Sequence, residues 1–122
     1  MKVLITGSRE HPHVSIVSIV LGGLNLTRYD EVIVGDNDFT PNSVDLFTRA
    51  WCEAHEIPCY VFEADWNEFG RAAGPIRNRA MVDQAPDVVF AFPCGRSRGT
   101  RNCIKLAREA GIKVHVIETL DN

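Results

Sequence analysis

The sequence predicts an α/β fold in which a five-stranded parallel sheet lies between two layers of helices. The chain has 122 residues, 45% hydrophobic and 24% charged, which is typical of one globular domain. Five short runs rich in β-branched and aromatic residues alternate with stretches of helical periodicity. The runs are continuously apolar, as in strands that helices cover on both faces. We therefore expect a single domain over residues 1–122, a three-layer Rossmann-like sandwich with strand order 3-2-1-4-5.

The five apolar runs are the predicted strands. They cover residues 3–6, 32–34, 60–62, 88–92 and 114–117. Of the four predicted helices, the first contains Pro12 in its first turn. Its apolar stripe consists of Val17, Val20, Leu21 and Leu24. The pair Thr40-Pro41 has the pattern of an N-cap followed by a proline at the first position of the second helix. The second stripe, with both aromatic residues in the core, consists of Val44, Phe47, Trp51 and Ala54.

The last two helices begin at glycine-containing pairs. Gly74-Pro75 opens the third helix, which is expected to extend to about Gln84. Gly99-Thr100 opens the fourth, and Gly111 is expected to end it before the last strand. The inward-facing residues of the fourth helix are Cys103, Ile104 and Ala107.

Charge and composition exclude several classes of protein. Thirteen Lys and Arg residues against sixteen Asp and Glu give a net charge of −3, so duplex nucleic acid is not the expected partner. No segment approaches the roughly 20 apolar residues needed to cross a bilayer. The four cysteines lack C-x-x-C spacing, which argues against a zinc site. We expect a cytoplasmic protein with reduced thiols and no membrane partner.

In open α/β sheets, ligands bind outside the carboxyl ends of the strands, so the loops that follow the strands hold the candidate site. In the first loop, Gly7 permits a tight turn, after which the backbone of Ser8 and Arg9 can face an anion. The alternative for Gly7 is a plain strand-to-helix turn. The second loop begins with Gly35 and Asp36. The dinucleotide and P-loop glycine fingerprints are both absent.

The loop that follows Pro93 has the composition of an anion site. Gly95 and Gly99 allow close approach to the backbone, and Thr100 can donate its hydroxyl at the start of a helix. Either Arg96 or Arg98 can reach an anionic oxygen, and spacing does not decide between them.

The third helix places Arg77 and Asn78 in its first turn. A cation there is unfavourable by about 0.3–1 kcal/mol unless an anion lies beside it. This mismatch indicates an anionic ligand, or alternatively an ion pair with an acid such as Asp65 or Glu68. Upstream, Trp66 either stacks on a base or packs on Phe69 as part of a lid.

Several of these segments resemble the SLOG superfamily, in particular its branch related to YspA and YpsA, which is related to lonely-guy phosphoribohydrolases and to DNA-processing protein A. The resemblance covers nearly the whole chain and implies binding of a nucleotide or nucleotide-derived ligand, such as an ADP-ribose-like molecule. It rests on Met1 to Arg9, Asp65-Trp66 through Gly70, Ala73-Gly74-Pro75-Ile76-Arg77-Asn78 with Met81, and Phe92-Pro93 leading to Gly99-Thr100.

The resemblance also implies roles for single residues. Asp45 matches the family aspartate that bonds ligand hydroxyls, and Arg77 matches an arginine that holds the phosphoribosyl group. Two family features are missing. Lonely-guy enzymes carry a catalytic glutamate shortly after Gly-Thr, where this chain continues Arg101-Asn102-Cys103. The glycines of the family's second loop are replaced after Gly35 by acids and other side chains.

The preferred hypothesis is a sensor or sequestering protein for a nucleotide-like ligand. The alternative is a nucleotide N-glycosidase, a hydrolase of the phosphoribohydrolase type, with Arg77, Asp45 and Glu10 as catalytic candidates and Asp36 or Asp38 as further carboxylates. A weaker alternative is a nucleic-acid accessory protein. The sequence assigns no definite cofactor, although Mg²⁺ could accompany a phosphate ligand. A homodimer or larger homo-oligomer, working in a phage or bacterial conflict system, is expected from the resemblance.

Overall fold

The computed structural model describes residues 1–37 and 40–118. Within these ranges it contains five strands, five α-helices and one short 3₁₀ helix, Gly70–Ala72. The strands are β1 (Lys2–Gly7), β2 (Glu31–Gly35), β3 (Cys59–Phe62), β4 (Val88–Phe92) and β5 (Lys113–Val116). The helices are α1 (Ile16–Gly23), α2 (Val44–Ala54), α3 (Trp66–Phe69), α4 (Ala73–Val82) and α5 (Arg98–Glu109).

The strands form one parallel sheet in the order β3-β2-β1-β4-β5, which confirms the predicted fold class and strand order. Val3 of the central strand is in register with Val32 on one side and Val88 on the other. All three belong to the apolar cluster that α1 and α2 cover. Leu4, the next residue of β1, belongs to the cluster on the opposite face, beneath α4 and α5. Burial on both faces explains why these strands are continuously apolar.

The start of α2 differs from the prediction, because Ser43 and not Thr40 is its N-cap. The Ser43 hydroxyl accepts a hydrogen bond from the backbone N–H of Leu46 at 3.3 Å. Thr40 instead donates its hydroxyl to the carbonyl oxygen of Arg9 at 2.8 Å. The residue predicted as the N-cap therefore joins two loops and does not cap the helix. Pro12 likewise precedes α1 by several residues and does not lie in its first turn.

The buried face of α2 is rotated relative to the predicted stripe. Phe47 and Trp51 are only partly buried against the core, and Ala54 is exposed. Trp51 stacks on His55, with the ring centroids 4.0 Å apart. The buried residues of α2 are Val44, Asp45, Thr48 and Cys52. The Thr48 hydroxyl bonds the carbonyl of Val44 at 2.8 Å, which satisfies one of the two buried polar side chains within the helix.

Two further differences concern the segment before β4. The four-residue helix α3, capped by Asp65, was not predicted. Helix α4 begins at Ala73 and ends at Val82, so Arg77 and Asn78 lie in its second turn and not in its first. The end of α5 agrees with the prediction: Gly111 follows the C-cap residue with a φ of 77°. Among the described residues, no helix is long and apolar enough to cross a membrane.

Candidate functional site

A cavity of about 750 Å³ lies at the carboxyl edge of the sheet. Its wall combines the loop after β1, the loop after β2, and the beginnings of α2 through α5. Thr6 and Gly7 at the end of β1 lie in its wall, beside the boundary between β1 and β4 at which the strand order of this parallel sheet reverses. The predicted site residues in its wall are Gly7, Ser8, Arg9, Glu10, Gly35, Asp36, Asp45, Trp66, Arg77, Asn78, Arg98, Gly99 and Thr100.

The structure does not place Pro93 and Gly95 in this wall. Pro93 is buried, and Gly95 is exposed at a turn with a φ of 64°. The open choice between the two arginines is also resolved, because Arg98 lines the cavity and Arg96 does not. Arg101 holds the outer loop by donating to the carbonyls of Gly95 at 2.9 Å and Arg96 at 3.0 Å. These two hydrogen bonds fix the loop before α5 to the first turn of that helix.

Several wall residues were not among the predicted site residues. They are Thr6, Asn37, Arg71, Gly74, Pro75, Met81, Ser97 and Asn102. Asn102 follows Gly99 by three positions on α5, so helical spacing alone places the two on one face. Arg71 carries no such signal, since only the 3₁₀ turn between α3 and α4 brings it to the cavity. Asp38, a candidate carboxylate, lies outside the described residues.

An ion pair between Arg77 and Asp36 forms the centre of the wall. Arg77 Nη1 lies 2.8 Å from Asp36 Oδ1, and the Arg77 side chain is 12% exposed. Asp36 also accepts a hydrogen bond from the backbone N–H of Ala64 at 3.2 Å. The sequence left open whether Arg77 meets an anionic ligand or an acidic side chain. The structure shows an ion pair, and the acid is Asp36, not Asp65 or Glu68. Asp65 instead caps α3.

Gly35 lies directly beneath this pair. A Cβ atom on Gly35 would lie 2.5 Å from Arg77 Nη1 and 2.8 Å from Asp45 Oδ2, closer than real Cβ contacts allow. The Arg77 guanidinium and the Asp45 carboxyl group therefore pack directly against the backbone of Gly35. This contact gives a structural reason for glycine here that does not depend on a ligand.

Asp45 is a buried carboxyl group in the cavity wall, with 5% of the residue exposed. Burial raises the pKa of Asp45 to about 6, since the charged form is desolvated. The N–H of Asn37, 3.1 Å from Oδ2, and the positive charge of Arg77 favour the ionised form but do not offset burial. Asp36 adds a repulsive negative charge. The protein's own donors thus leave this carboxyl group incompletely stabilised as an anion.

Asn78 joins α4 to the start of α5. It is 2% exposed, and its Nδ2 donates to the carbonyl of Gly99 and to Asn102 Oδ1, both at 3.0 Å. Its Oδ1 accepts from Arg77 Nε at 3.0 Å. Asn78 therefore fixes the orientation of the guanidinium that pairs with Asp36.

The N-terminus of α5 faces the cavity without a side-chain cap. Ser97, at a φ of 39°, uses its hydroxyl to bond the backbone N–H and carbonyl of Cys94, at 2.8 and 2.7 Å. The backbone N–H groups of the next three residues begin the helix and have no partner within it. All three of these residues line the cavity: Arg98, Gly99 and Thr100. Such an end favours an anion.

Trp66 borders the opposite side of the cavity and is 45% exposed. Its Cη2 atom lies 3.3 Å from the position that a Cβ on Gly74 would occupy, so the edge of the indole rests on the start of α4. Of the two alternatives for Trp66, stacking on a base stays a prediction, and the contact observed for the indole is with Gly74. The rest of the ring is available to a ligand.

The loop after β1 is held against α2. A Cβ on Gly7 would lie 2.5 Å from Val44 Cγ2, and the N–H of Val44 donates to the carbonyl of Ser8 at 3.1 Å. The plain structural interpretation of Gly7 therefore accounts for the glycine. Glu10 accepts from Asn42 Nδ2 at 3.4 Å. Among residues 1–37 and 40–118, no group of three or more His, Cys, Asp or Glu side chains is arranged to hold a metal ion.

Comparison with known proteins gives one informative similarity. No family model matches the chain. The sequence is 36% identical over 118 residues to the Gene 61 protein of Mycobacterium phage D29, and the match covers 93% of both proteins. The chain therefore belongs to the family of this phage protein.

Proposed function

We propose that the protein binds a nucleotide or a nucleotide-derived ligand, such as an ADP-ribose-like molecule, and acts as a sensor or sequestering protein. The observation that carries this proposal is the pairing of two kinds of subsite in one cavity: an uncapped helix N-terminus with Arg98, and the buried carboxyl group of Asp45. A nucleotide supplies a match for each, because its phosphate is anionic and its ribose hydroxyls are hydrogen-bond donors.

The anionic part of the ligand is assigned to α5. Three successive backbone N–H groups and the positive end of the helix dipole are directed at the cavity. Arg98 and Arg71 are exposed residues of the same wall and can add guanidinium contacts to phosphate oxygens. The net charge of −3 does not oppose such binding, because the attraction is local.

The hydroxyl groups of the ligand are assigned to Asp45. A carboxylate accepts several hydrogen bonds, and the raised pKa of Asp45 shows that the protein stabilises the anion incompletely. Hydroxyl donors from a ribose would supply the missing stabilisation. The volume of about 750 Å³ lies within the roughly 300–1,000 Å³ range of small-molecule sites, and Trp66 offers a face on which a base can stack.

Thermal stabilisation by candidate ligands tests the proposal. AMP, ADP-ribose, NAD and cyclic nucleotides are added separately to the protein, and its melting temperature and any released base are measured. At 100 times Kd, a ligand stabilises the native state by about 2.7 kcal/mol. We expect Arg98→Ala to weaken the effect and Lys105→Ala, an exposed cation of α5 outside the cavity, to preserve it. No stabilisation by any nucleotide, or equal loss in both variants, would contradict the proposal.

A second candidate function, hydrolysis of a nucleotide N-glycosidic bond, is favoured by one observation. A carboxyl group with a pKa of about 6, beside Arg77 in a cavity, can hold or release a proton near neutral pH. We rank it below binding, since Gly99-Thr100 is followed by Arg101-Asn102-Cys103 where lonely-guy enzymes carry their catalytic glutamate. Release of free base from AMP by the wild type, lost in Asp45→Asn, would establish this function. The homo-oligomer, the cytoplasmic location and the conflict-system setting stay predictions.

A further inference from the structure

Cys52 and Cys59 form a thiol pair that the proposed ligand site does not use. Cys52 is fully buried in the last turns of α2, and Cys59, the first residue of β3, is partly buried. The chain between them folds back tightly, because the N–H of Ile57 donates to the carbonyl of Cys52 at 2.9 Å.

The sheet register brings the two side chains to one face. Cys59 is in register with Val32, which belongs to the apolar cluster beneath α1 and α2. Cys52 belongs to the same cluster, and Cys59 packs against it. The pKa of each thiol is shifted mainly by its interaction with the other, as for neighbouring side chains. A disulfide requires the sulfurs to be about 2.05 Å apart, and two thiols that pack in one cluster on one face of the sheet are placed to reach that distance.

The two thiols are not equivalent. The hydrogen bond with Cys52 and the positive charge of Arg49 lower the pKa of Cys59, against the opposing effect of burial. The same hydrogen bond and burial raise the pKa of Cys52. Cys59 is therefore the better nucleophile and the more accessible thiol, and Cys52 remains protonated beside it.

We propose that Cys52 and Cys59 form a reversible oxidation site that hydrogen peroxide converts to a disulfide. The Cys59 thiolate attacks one peroxide oxygen, the O–O bond breaks, and the leaving hydroxide takes a proton from solvent to become water. Cys59 is then a sulfenic acid. The Cys52 sulfur attacks the Cys59 sulfur, the S–O bond breaks, and the departing hydroxide takes the Cys52 proton as a second water. Two thiols lose two electrons, hydrogen peroxide gains them, and a thiol reductant reverses the change.

The disulfide would join the end of α2 to the start of β3 through a short loop. Because Cys52 is fully buried, it reacts only after Cys59, in the role of a resolving cysteine. Rapid disulfide formation also protects Cys59 from irreversible oxidation to the sulfinic acid. Neither cysteine lines the cavity, so this proposal does not rest on nucleotide binding.

Peptide mapping of the peroxide-treated, full-length protein tests the proposal. Trypsin releases both cysteines in one peptide, residues 50–71, since Arg49 and Arg71 flank it with no Lys or Arg between. We expect this peptide to lose about 2 Da, the mass of two hydrogens, and to regain it with a reductant. Cleavage after Glu53 or Glu56 should leave two pieces that stay joined until reduction.

Two variants complete the test. Cys59→Ala should abolish the mass loss, and Cys94→Ala, which removes another partly buried thiol, should retain it. Circular dichroism checks that Cys59→Ala is folded, and the wild-type peptide map decides the question if it is not. A gain of about 16 or 32 Da at Cys59 with Cys52 still open to alkylation, or a first disulfide that involves Cys94 or Cys103, would overturn the proposal.

Discussion

The Arg77 guanidinium and the Asp36 carboxylate join α4 to the end of β2, with Nη1 and Oδ1 2.8 Å apart. The pair connects parts of the chain that lie 41 residues apart. Gly35 beneath it and Asn78 beside it fix its position. Because the pair lines the cavity, changes in its supports should affect ligand binding as well as stability.

Gly35→Ala should impair both properties. The added methyl would overlap Arg77 Nη1 and Asp45 Oδ2, and overpacking of this kind costs about 1–3 kcal/mol. We expect a lower free energy of unfolding in urea and at least a roughly tenfold weaker ligand affinity, which corresponds to about 1.4 kcal/mol. Gly99→Ala is the matched control, since no atom lies within 4 Å of a Cβ at that cavity glycine. Equal stability losses in the two variants would refute this account of Gly35.

Asp45→Asn should stabilise the protein above pH 6. The folded pKa of about 6 exceeds the ordinary value of 3.8, so the native state binds more protons than the unfolded state between these values. The wild type therefore loses stability as the pH rises from about 3.8 to about 6, by up to about 3 kcal/mol from this group. The uncharged amide avoids this cost, although it also removes the acceptor that we assign to ligand hydroxyls.

Urea unfolding from pH 4 to pH 8 measures the effect of Asp45→Asn. The variant should show a flatter pH dependence than the wild type and weaker ligand binding. Asp83→Asn, at an exposed position at the end of α4, should leave the wild-type dependence intact. A parallel loss of stability with pH in wild type and Asp45→Asn would show that another group is responsible.

Asn78→Ala should lower the stability of the fold and leave the Arg77 guanidinium without the contact that orients it. The change removes the hydrogen bonds of Asn78 to the Gly99 carbonyl, Asn102 Oδ1 and Arg77 Nε, and each such bond contributes about 0.5–1.5 kcal/mol. Thermal unfolding should show a lower melting temperature, and titration should show weaker binding. Asn67→Ala, at an exposed position of α3, is the control and should melt near the wild-type temperature. Full affinity in Asn78→Ala would argue against a role in orienting Arg77.

Trp66→Ala should reduce affinity for ligands that contain a purine base. Stacking of a base on an aromatic side chain is worth about 1–3 kcal/mol, or roughly 5- to 150-fold in Kd. Trp66→Phe should retain part of this effect, and Phe69→Ala, which removes a similarly exposed ring from the same helix, should retain all of it. In a Trp51→Phe background, ligand binding should quench the fluorescence of Trp66. Unchanged affinity in Trp66→Ala would show that the indole does not stack on the ligand.

The parallel sheet was predictable because apolar runs alternate with helical stretches along the chain, and right-handed crossovers in a Rossmann-like sandwich then give the strand order. The three central strands, β1, β2 and β4, are mostly buried, as their apolar runs predict. The N-cap of α2 was not predictable, because Thr40 and Ser43 are both good N-cap residues. The hydrogen bond of Thr40 to the distant Arg9 leaves Ser43 as the cap. Helix α3 is too short for its periodicity to be visible. The partner of Arg77 depends on how α4 packs against β2, which spacing within α4 does not encode.

The contact between Gly7 and Val44 makes one side of the cavity less tolerant of substitutions than the other. Since α2 is pressed against the central strand there, the wall that carries Asp45 is as fixed as the middle of the sheet. The wall that carries Trp66 belongs to a four-residue helix with no buried residues. Relatives with different ligand preferences should therefore differ first in α3 and the turn that follows it, and an engineer who wants a new ligand should begin there.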